Sequence, residues 1–97
     1  MPSINQFSNP EIVYTKAKHY LGNNAIIRLS NKPAKKYMVF DPTTKKWIYF
    51  GQFGYEDFTK HKDPIRRENY LKRTAKIKGD WKNNKYSPNN LSRNILW

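Results

Sequence analysis

The sequence predicts a single small domain of the α+β class, with a three-stranded antiparallel sheet packed against one main helix. Three short segments rich in β-branched and aromatic residues lie between residues 25 and 50, and the strongest helix signal comes later, at Asp63-Pro64. Strands and main helix therefore occupy separate stretches, which is typical of this class. The chain of 97 residues has room for one domain with a thin core, so we take residues 1–97 as one unit.

The first predicted element is a short helix over residues 10–22. It begins at Pro10 and ends at Gly22, a residue that commonly terminates helices. Its apolar side chains recur at roughly helical spacing at Ile12, Val13, Ala17 and Tyr20. The preceding residues 1–9 are expected to form a flexible arm.

Three strands are predicted at residues 25–30, 36–40 and 47–50, each bounded by turn-forming residues. Asp41 and Pro42 favour a tight turn between the second and third strands. Alternation in the third strand puts Trp47 and Tyr49 on one face and the side chains of residues 48 and 50 on the other. If the latter face is buried, Trp47 and Tyr49 form, with Tyr37, an exposed set of rings that stacks bases. The alternative is that both faces are covered.

The main helix is predicted from Pro64 to Lys78, ending before Gly79. Asp63 can cap the free N–H groups of its first turn, and proline is tolerated at the first helical position. Arg66 and Arg73 fall on one line of this helix, so we expect a basic strip facing outward. Residues 79–97 are rich in Asn and are expected to form an irregular tail that packs back on the core through Trp97.

Basic residues dominate the composition, with 19 Lys and Arg against 7 Asp and Glu and a net charge of +12. They are densest across residues 60–85, where aromatic residues are interleaved with them. An ordinary solvated helix face mixes charges of both signs, so this pattern favours a surface that binds a polyanion. We predict phosphate contacts by Lys60, Lys62, Arg66, Arg67, Arg73, Lys76, Lys82 and Lys85, and base stacking by Trp81, Trp47 and Tyr49.

Motifs of catalytic and metal sites do not emerge from the sequence. The absence of cysteine removes disulfides, thiolate nucleophiles and zinc ribbons. The run His61-Lys62-Asp63 lacks the spacing of phospholipase-type nucleases, and Asp63 is better explained as a helix cap. Gly51 and Gly54 have the spacing of the loop that clamps a nucleic-acid backbone in KH domains, but a simple turn after a strand is the favoured interpretation. The sequence thus predicts a protein that is not an enzyme and needs no metal or cofactor.

No apolar run is long enough for a membrane helix, and the N-terminus has none of the features of a signal peptide. We therefore expect an intracellular protein that is not secreted and has no membrane partner.

Several stretches resemble a family of small basic proteins encoded by giant nucleocytoplasmic large DNA viruses, mimivirus-like ones especially. The resemblance covers about residues 16–97 and is carried by Lys35-Lys-Tyr-Met-Val, Phe50-Gly, Gly54-Tyr-Glu-Asp-Phe-Thr-Lys-His-Lys-Asp63, Arg66-Arg67, Tyr70, Arg73 and Leu96-Trp97. It implies a viral origin and a small stand-alone protein that acts in the infected cell or in the virion. It implies no particular activity.

Two functions follow as expectations. The first is sequence-tolerant binding of DNA or RNA during genome packaging or handling, through the basic strip. The alternative is a minor capsid or cement protein, whose positive charge would meet acidic capsid proteins and whose aromatic residues would anchor the interface.

Overall fold

The computed structural model describes residues 3–97, and the first two residues of the predicted arm lie outside this range. Single 3₁₀ turns occur at Ile4–Gln6 and Trp81–Asn83, and the main elements follow the order helix, three strands, helices. These elements are α1 (Pro10–Leu21), β1 (Ile27–Leu29), β2 (Lys35–Asp41), β3 (Lys46–Gln52), α2 (Phe58–His61), α3 (Pro64–Ala75) and α4 (Pro88–Leu91), which continues as a π-helical turn, Ser92–Leu96. The predicted α+β class is confirmed.

The three strands form one antiparallel sheet in the order β1-β2-β3, as the sequence predicts. Asp41 builds the turn between β2 and β3, because its carboxylate accepts the Thr43 N–H at 2.9 Å and the Thr44 hydroxyl at 3.0 Å. In the register, Tyr37 lies opposite Phe50. Directly opposed residues share a face of the sheet, so these two rings point to the same side.

The core lies on one face of the sheet, which we call the inner face, and α1 and the C-terminal segment (residues 88–97) cover it. Its buried residues are Val13 and Ala17 of α1, Tyr37, Val39 and Phe50 of the sheet, and Leu91, Ile95 and Leu96 of the C-terminal segment. The predicted main helix, α3, contributes Thr74 to the interior, whereas Ile65 and Ile77 at its two ends are exposed. The sheet was expected to pack against the helix over 64–78, but α1 and the C-terminal segment cover it instead. The helix itself is shorter than expected and ends at Ala75.

The tail after Gly79 was expected to be irregular, and this expectation is wrong for most of its second half. The Ser87 side chain caps α4 by accepting the Asn90 N–H at 3.2 Å, and Pro88 occupies the first turn. Leu91 and Ile95, one helical turn apart, are fully buried and hold the helix on the sheet. Trp97, expected in the core, is half-buried instead.

Residues 3–9 were expected to belong to a flexible arm, but they are bonded to the sheet and to α2. Ser8 is buried and its hydroxyl accepts the Tyr37 hydroxyl at 2.7 Å. The Phe7 carbonyl accepts the Asp57 N–H at 3.0 Å. A polar pattern at an end of the sequence does not reveal such buried partners.

Gly51 lets the C-terminal segment approach β3. It adopts a positive φ of 79°, and a Cβ at this position would lie 2.8 Å from Leu96 Cδ1. Both constraints favour glycine, so this residue sets the contact between strand and tail.

Candidate functional site

Helix α3 is fixed at its start by its cap and at its end by the C-terminal segment. The Asp63 carboxylate accepts the Ile65 N–H at 2.9 Å, which begins the helix where the sequence predicts. Arg93 donates to the Leu71 carbonyl and to the Thr74 hydroxyl, both at 2.6 Å. These bonds hold one side of α3 and leave its arginine-rich side in contact with solvent.

A cleft of about 660 Å³ opens between α3, the end of β3 and the C-terminal segment, and we call it the α3 cleft. Cations, aromatic rings and side-chain amides share its walls. It is lined by Lys35, Lys36, Phe50, Gly51, Gln52, Tyr55, Glu56, Arg66, Asn69, Tyr70, Arg73, Ile77, Pro88, Asn89, Ser92, Leu96 and Trp97. A space of this size is sufficient for a nucleotide unit.

The exposed cations of the α3 cleft are Arg66, Arg73 and Lys35. Arg66 lies 3.4 Å from Glu56 in an ion pair in which both side chains are well exposed, and such a pair contributes little to stability. The Arg73 guanidinium lies 5.4 Å from the centre of the Tyr70 ring. Arg66 and Arg73 can therefore leave these weak partners, the Glu56 carboxylate and the Tyr70 ring, and bind an anionic ligand.

Stacked rings form part of the cleft wall. Tyr70 and Trp97 lie almost parallel, at 8°, with ring centres 4.1 Å apart. Burial raises the pKa of the Tyr70 hydroxyl. On the other side Tyr55 is 65% exposed, so its ring is open to a ligand. The cleft thus combines one exposed ring with a fixed aromatic wall.

His61 packs against Trp97, one of the two stacked rings of this wall. Its ring centre lies 5.1 Å from that of Trp97, and its Nδ1 accepts the Asp63 N–H at 3.0 Å. Its Nε2 is buried and has no hydrogen-bond partner among residues 3–97. Burial and the nearby Arg66 cation lower the pKa of His61, so the ring is neutral at pH 7. These contacts indicate a packing role for this residue.

Lys36 also borders the cleft, but its ammonium group is already paired with a buried carboxylate. Its ammonium group lies 3.1 Å from the Asp57 carboxylate, with both side chains almost completely buried. Burial lowers the pKa of Lys36, and Asp57 opposes that shift. Asp57 also accepts the N–H and the hydroxyl of Thr59, which in turn contacts the Ser8 hydroxyl. We interpret this network as structural, because a buried pair that loses one partner leaves an uncompensated charge.

The outer face of the sheet is a second surface with aromatic character. Trp47 and Tyr49 lie there half-buried, as the alternation predicts, and the Phe40 ring contacts Trp47 edge to face at 5.4 Å. Tyr37 was expected beside them, but it is fully buried in the core. The register explains this correction, since Tyr37 lies opposite Phe50 and Met38 lies opposite Tyr49.

A family model matches residues 25–74, and the description of that family is a family of unknown function (DUF5754). The chain belongs to this family. Searches of curated proteins and of solved structures found no match. The stretch shared with the family contains the sheet, α2 and nearly all of α3, including Lys35, Tyr55, Arg66 and Arg73. The C-terminal wall of the cleft lies outside that stretch.

The structure does not gather all the predicted phosphate-binding residues in one place. Lys60 and Lys62 line a separate polar depression with Asn5 and Asn9. Arg67 donates from Nε to the Trp97 backbone oxygen at 2.7 Å, so it holds the C-terminal segment. The other predicted cations are exposed and do not line the cleft; they are Lys76, Lys82 and Lys85.

Trp81, predicted to stack bases, is buried at 9% exposure, so this prediction is wrong. Its indole N–H donates to the Ile77 carbonyl at 2.7 Å, and its own carbonyl accepts the Ser87 hydroxyl at 3.1 Å. The basic neighbours of Trp81 in the sequence suggested base stacking, but the fold of the tail places its ring in the interior.

The sequence did not single out Lys35 or Tyr55 as site residues. Their only signals were a lysine at the start of a strand and a tyrosine after a glycine turn. Within residues 3–97, no three His, Asp or Glu side chains are grouped closely enough for a metal ion. Over the same residues, no helix has the length and apolar character needed to cross a membrane.

Proposed function

We propose that the protein binds nucleic acid in the α3 cleft, mainly through phosphate contacts and with little preference for sequence. The observation that carries this proposal is that Arg66, Arg73 and Lys35 line one cleft together with the exposed ring of Tyr55. Three exposed cations and an open ring suit a polyanion that also carries flat bases. If the protein is viral, as the resemblance implies, this binding would serve the packaging or handling of the viral genome.

The spacing of the two arginines supports contact with more than one phosphate. They lie seven residues apart on α3, which corresponds to about 10 Å along a helix axis. A nucleic-acid backbone presents phosphates at several positions, so it can meet both side chains at once. Contacts of this kind position a chain and carry no sequence information.

The exposed apolar side chains do not favour the capsid alternative. Ile26 and Leu29 lie at β1, Ile65 begins α3, and Ile77 follows its end. Apolar residues scattered in this way are ordinary on protein surfaces, whereas a protein-binding interface is typically a contiguous patch. The charge and geometry of the α3 cleft are therefore the stronger argument.

The proposal is tested by fluorescence anisotropy with labelled oligonucleotides over several salt concentrations. The Arg66→Gln/Arg73→Gln variant should weaken binding about equally for all sequences, and it should reduce the slope of log Kobs against log salt by about two. The matched control is Lys82→Gln/Lys85→Gln, which removes the same charge outside the cleft. It should change the affinity much less.

Two results would contradict the proposal. One is a parent protein that shows no salt-dependent binding to any oligonucleotide. The other is a control variant that loses more affinity than the cleft variant, since the interface would then lie in residues 79–87. Circular dichroism of both variants checks that the substitutions leave the fold intact.

A further inference from the structure

The outer face of the sheet carries a row of half-buried aromatic and apolar side chains, on the side away from the core; they are Met38, Phe40, Trp47 and Tyr49. The register places Arg28 opposite Met38, Met38 opposite Tyr49, and Phe40 opposite Trp47. Residues paired in this way share a face, and this face is opposite to the one that contains the core. The rings of Trp47 and Tyr49, two positions apart on β3, thus lie on the same side of the sheet.

Each of these two rings has a cation next to it. The Arg28 guanidinium lies 5.6 Å from the centre of the Trp47 ring, and the Lys32 ammonium lies 4.1 Å from that of Tyr49. No Asp or Glu occupies an outer-face position of the three strands, and Asp41 of β2 is buried on the opposite side. The face therefore offers rings for flat groups and positive charge for anions beside them.

The ring of Tyr49 is also oriented by a hydrogen bond. Its hydroxyl donates to the Asn31 Oδ1 at 2.7 Å. This bond fixes the ring at the end of the row nearest the β1–β2 loop, so a ligand would meet an ordered surface there and would lose less entropy on binding.

We propose that this face stacks the bases of a single-stranded nucleic acid whose phosphates extend into the α3 cleft. The inference rests on the proposed function, adds a second surface to the α3 cleft and names single-stranded nucleic acid as the ligand. The β1–β2 loop connects the two surfaces, because Lys32 lies over Tyr49 while Lys35 lines the cleft and donates its N–H to the Lys32 carbonyl at 3.1 Å.

A single strand fits these features better than a duplex. In a duplex the faces of the bases are stacked on one another and are not available to protein rings, whereas a single strand exposes them. Stacking tolerates any base, because each has an aromatic face, so it is consistent with the absence of sequence preference. Arg28 and Lys32 would move from the rings to the neighbouring phosphates.

The test compares an oligo-dT with an abasic oligomer of the same length and charge, and with a DNA duplex. The parent protein should prefer the oligo-dT over both. In Trp47→Ala and Tyr49→Ala, the affinity for oligo-dT should fall about fivefold or more for each ring, while the affinity for the abasic oligomer stays unchanged. Trp47→Phe and Tyr49→Phe should keep most of the preference, because a ring remains.

The comparison variant is Tyr55→Ala, which tests whether the exposed ring of the α3 cleft supplies the stacking instead of the sheet. If the parent binds the abasic oligomer as well as oligo-dT, the inference is wrong while the proposed function stands. If Tyr55→Ala and not the sheet variants removes the preference, the stacking surface lies in the cleft and the inference is also wrong. If the parent binds no oligomer at all, the proposed function itself fails.

Discussion

Replacing Leu96 with alanine is expected to destabilise the protein by about 3 kcal/mol, because Leu96 completes the core from the last turn of the chain. Its side chain is 1% exposed and lies so close to Gly51 that a Cβ there would touch its δ-methyl group. Leucine-to-alanine changes at such buried positions cost about 2–5 kcal/mol. A small domain has a total free energy of unfolding of about 5–15 kcal/mol, so this single change is a large part of it.

Urea denaturation followed by circular dichroism measures this loss as a lower transition midpoint with an unchanged m-value. The matched variant is Trp97→Ala, which removes a half-buried ring stacked on Tyr70. That change should cost about 1–2 kcal/mol, from lost stacking and partial burial. Deleting residues 95–97 removes Ile95 and Leu96 together and should leave the protein unfolded.

The result that would refute this reasoning is a larger loss for Trp97→Ala than for Leu96→Ala. The tryptophan, and not Leu96, would then be the main anchor of the core. A truncation that melts like the parent would contradict the argument as well.

Three further predictions concern single side chains. The pKa of His61 is lower in the folded protein than in the unfolded chain, so the unfolded chain binds a proton more readily. The stability that neutral His61 contributes is therefore full above pH 6.5 and falls as the pH decreases below that value. His61→Asn keeps an acceptor for the Asp63 N–H and should flatten the dependence of the urea midpoint on pH between 7.5 and 5.5. Gly51→Ala should destabilise by about 1 kcal/mol or more in the same denaturation assay, since it combines a positive φ with a contact at 2.8 Å, and an unchanged midpoint would contradict the proposed fit. Glu56→Gln removes the acidic partner of Arg66 and should raise oligonucleotide affinity up to about fivefold in the anisotropy assay, whereas a lower affinity would mean that Glu56 orients the arginine for binding.

Local elements of the fold could be predicted from the sequence because the signals for them are local. The turn at Asp41, the cap at Asp63 and the glycine that ends α1 each act within a few residues, and each lies where the structure has it. The stretch from Asp57 to His61 was not predicted as a helix. Its single turn depends on the Asp57 cap and on a buried bond to the Ser8 segment, which lies far away in the sequence.

Packing between distant segments could not be predicted in the same way. Tyr37 was grouped with Trp47 and Tyr49, because alternation within a strand does not give the register between strands. Trp81 was expected to stack bases because its neighbours are basic, but its burial depends on bonds to Ser87 and Ile77 that form only when the tail folds. The choice of Arg66 and Arg73 for phosphate contacts stays a prediction, and the structure adds Lys35 and Tyr55 to it.

The core described above joins segments from opposite ends of the chain, with Val13 and Ala17 against Leu91 and Ile95. This has a consequence for the way the protein acquires its fold during synthesis. The hairpin of β2 and β3 closes a short loop and can form early, but its inner face stays only partly covered until residues 88–97 have been synthesised and have folded onto it. Until then the parts of Tyr37, Val39 and Phe50 that this segment covers are open to chaperones or to other unfinished chains.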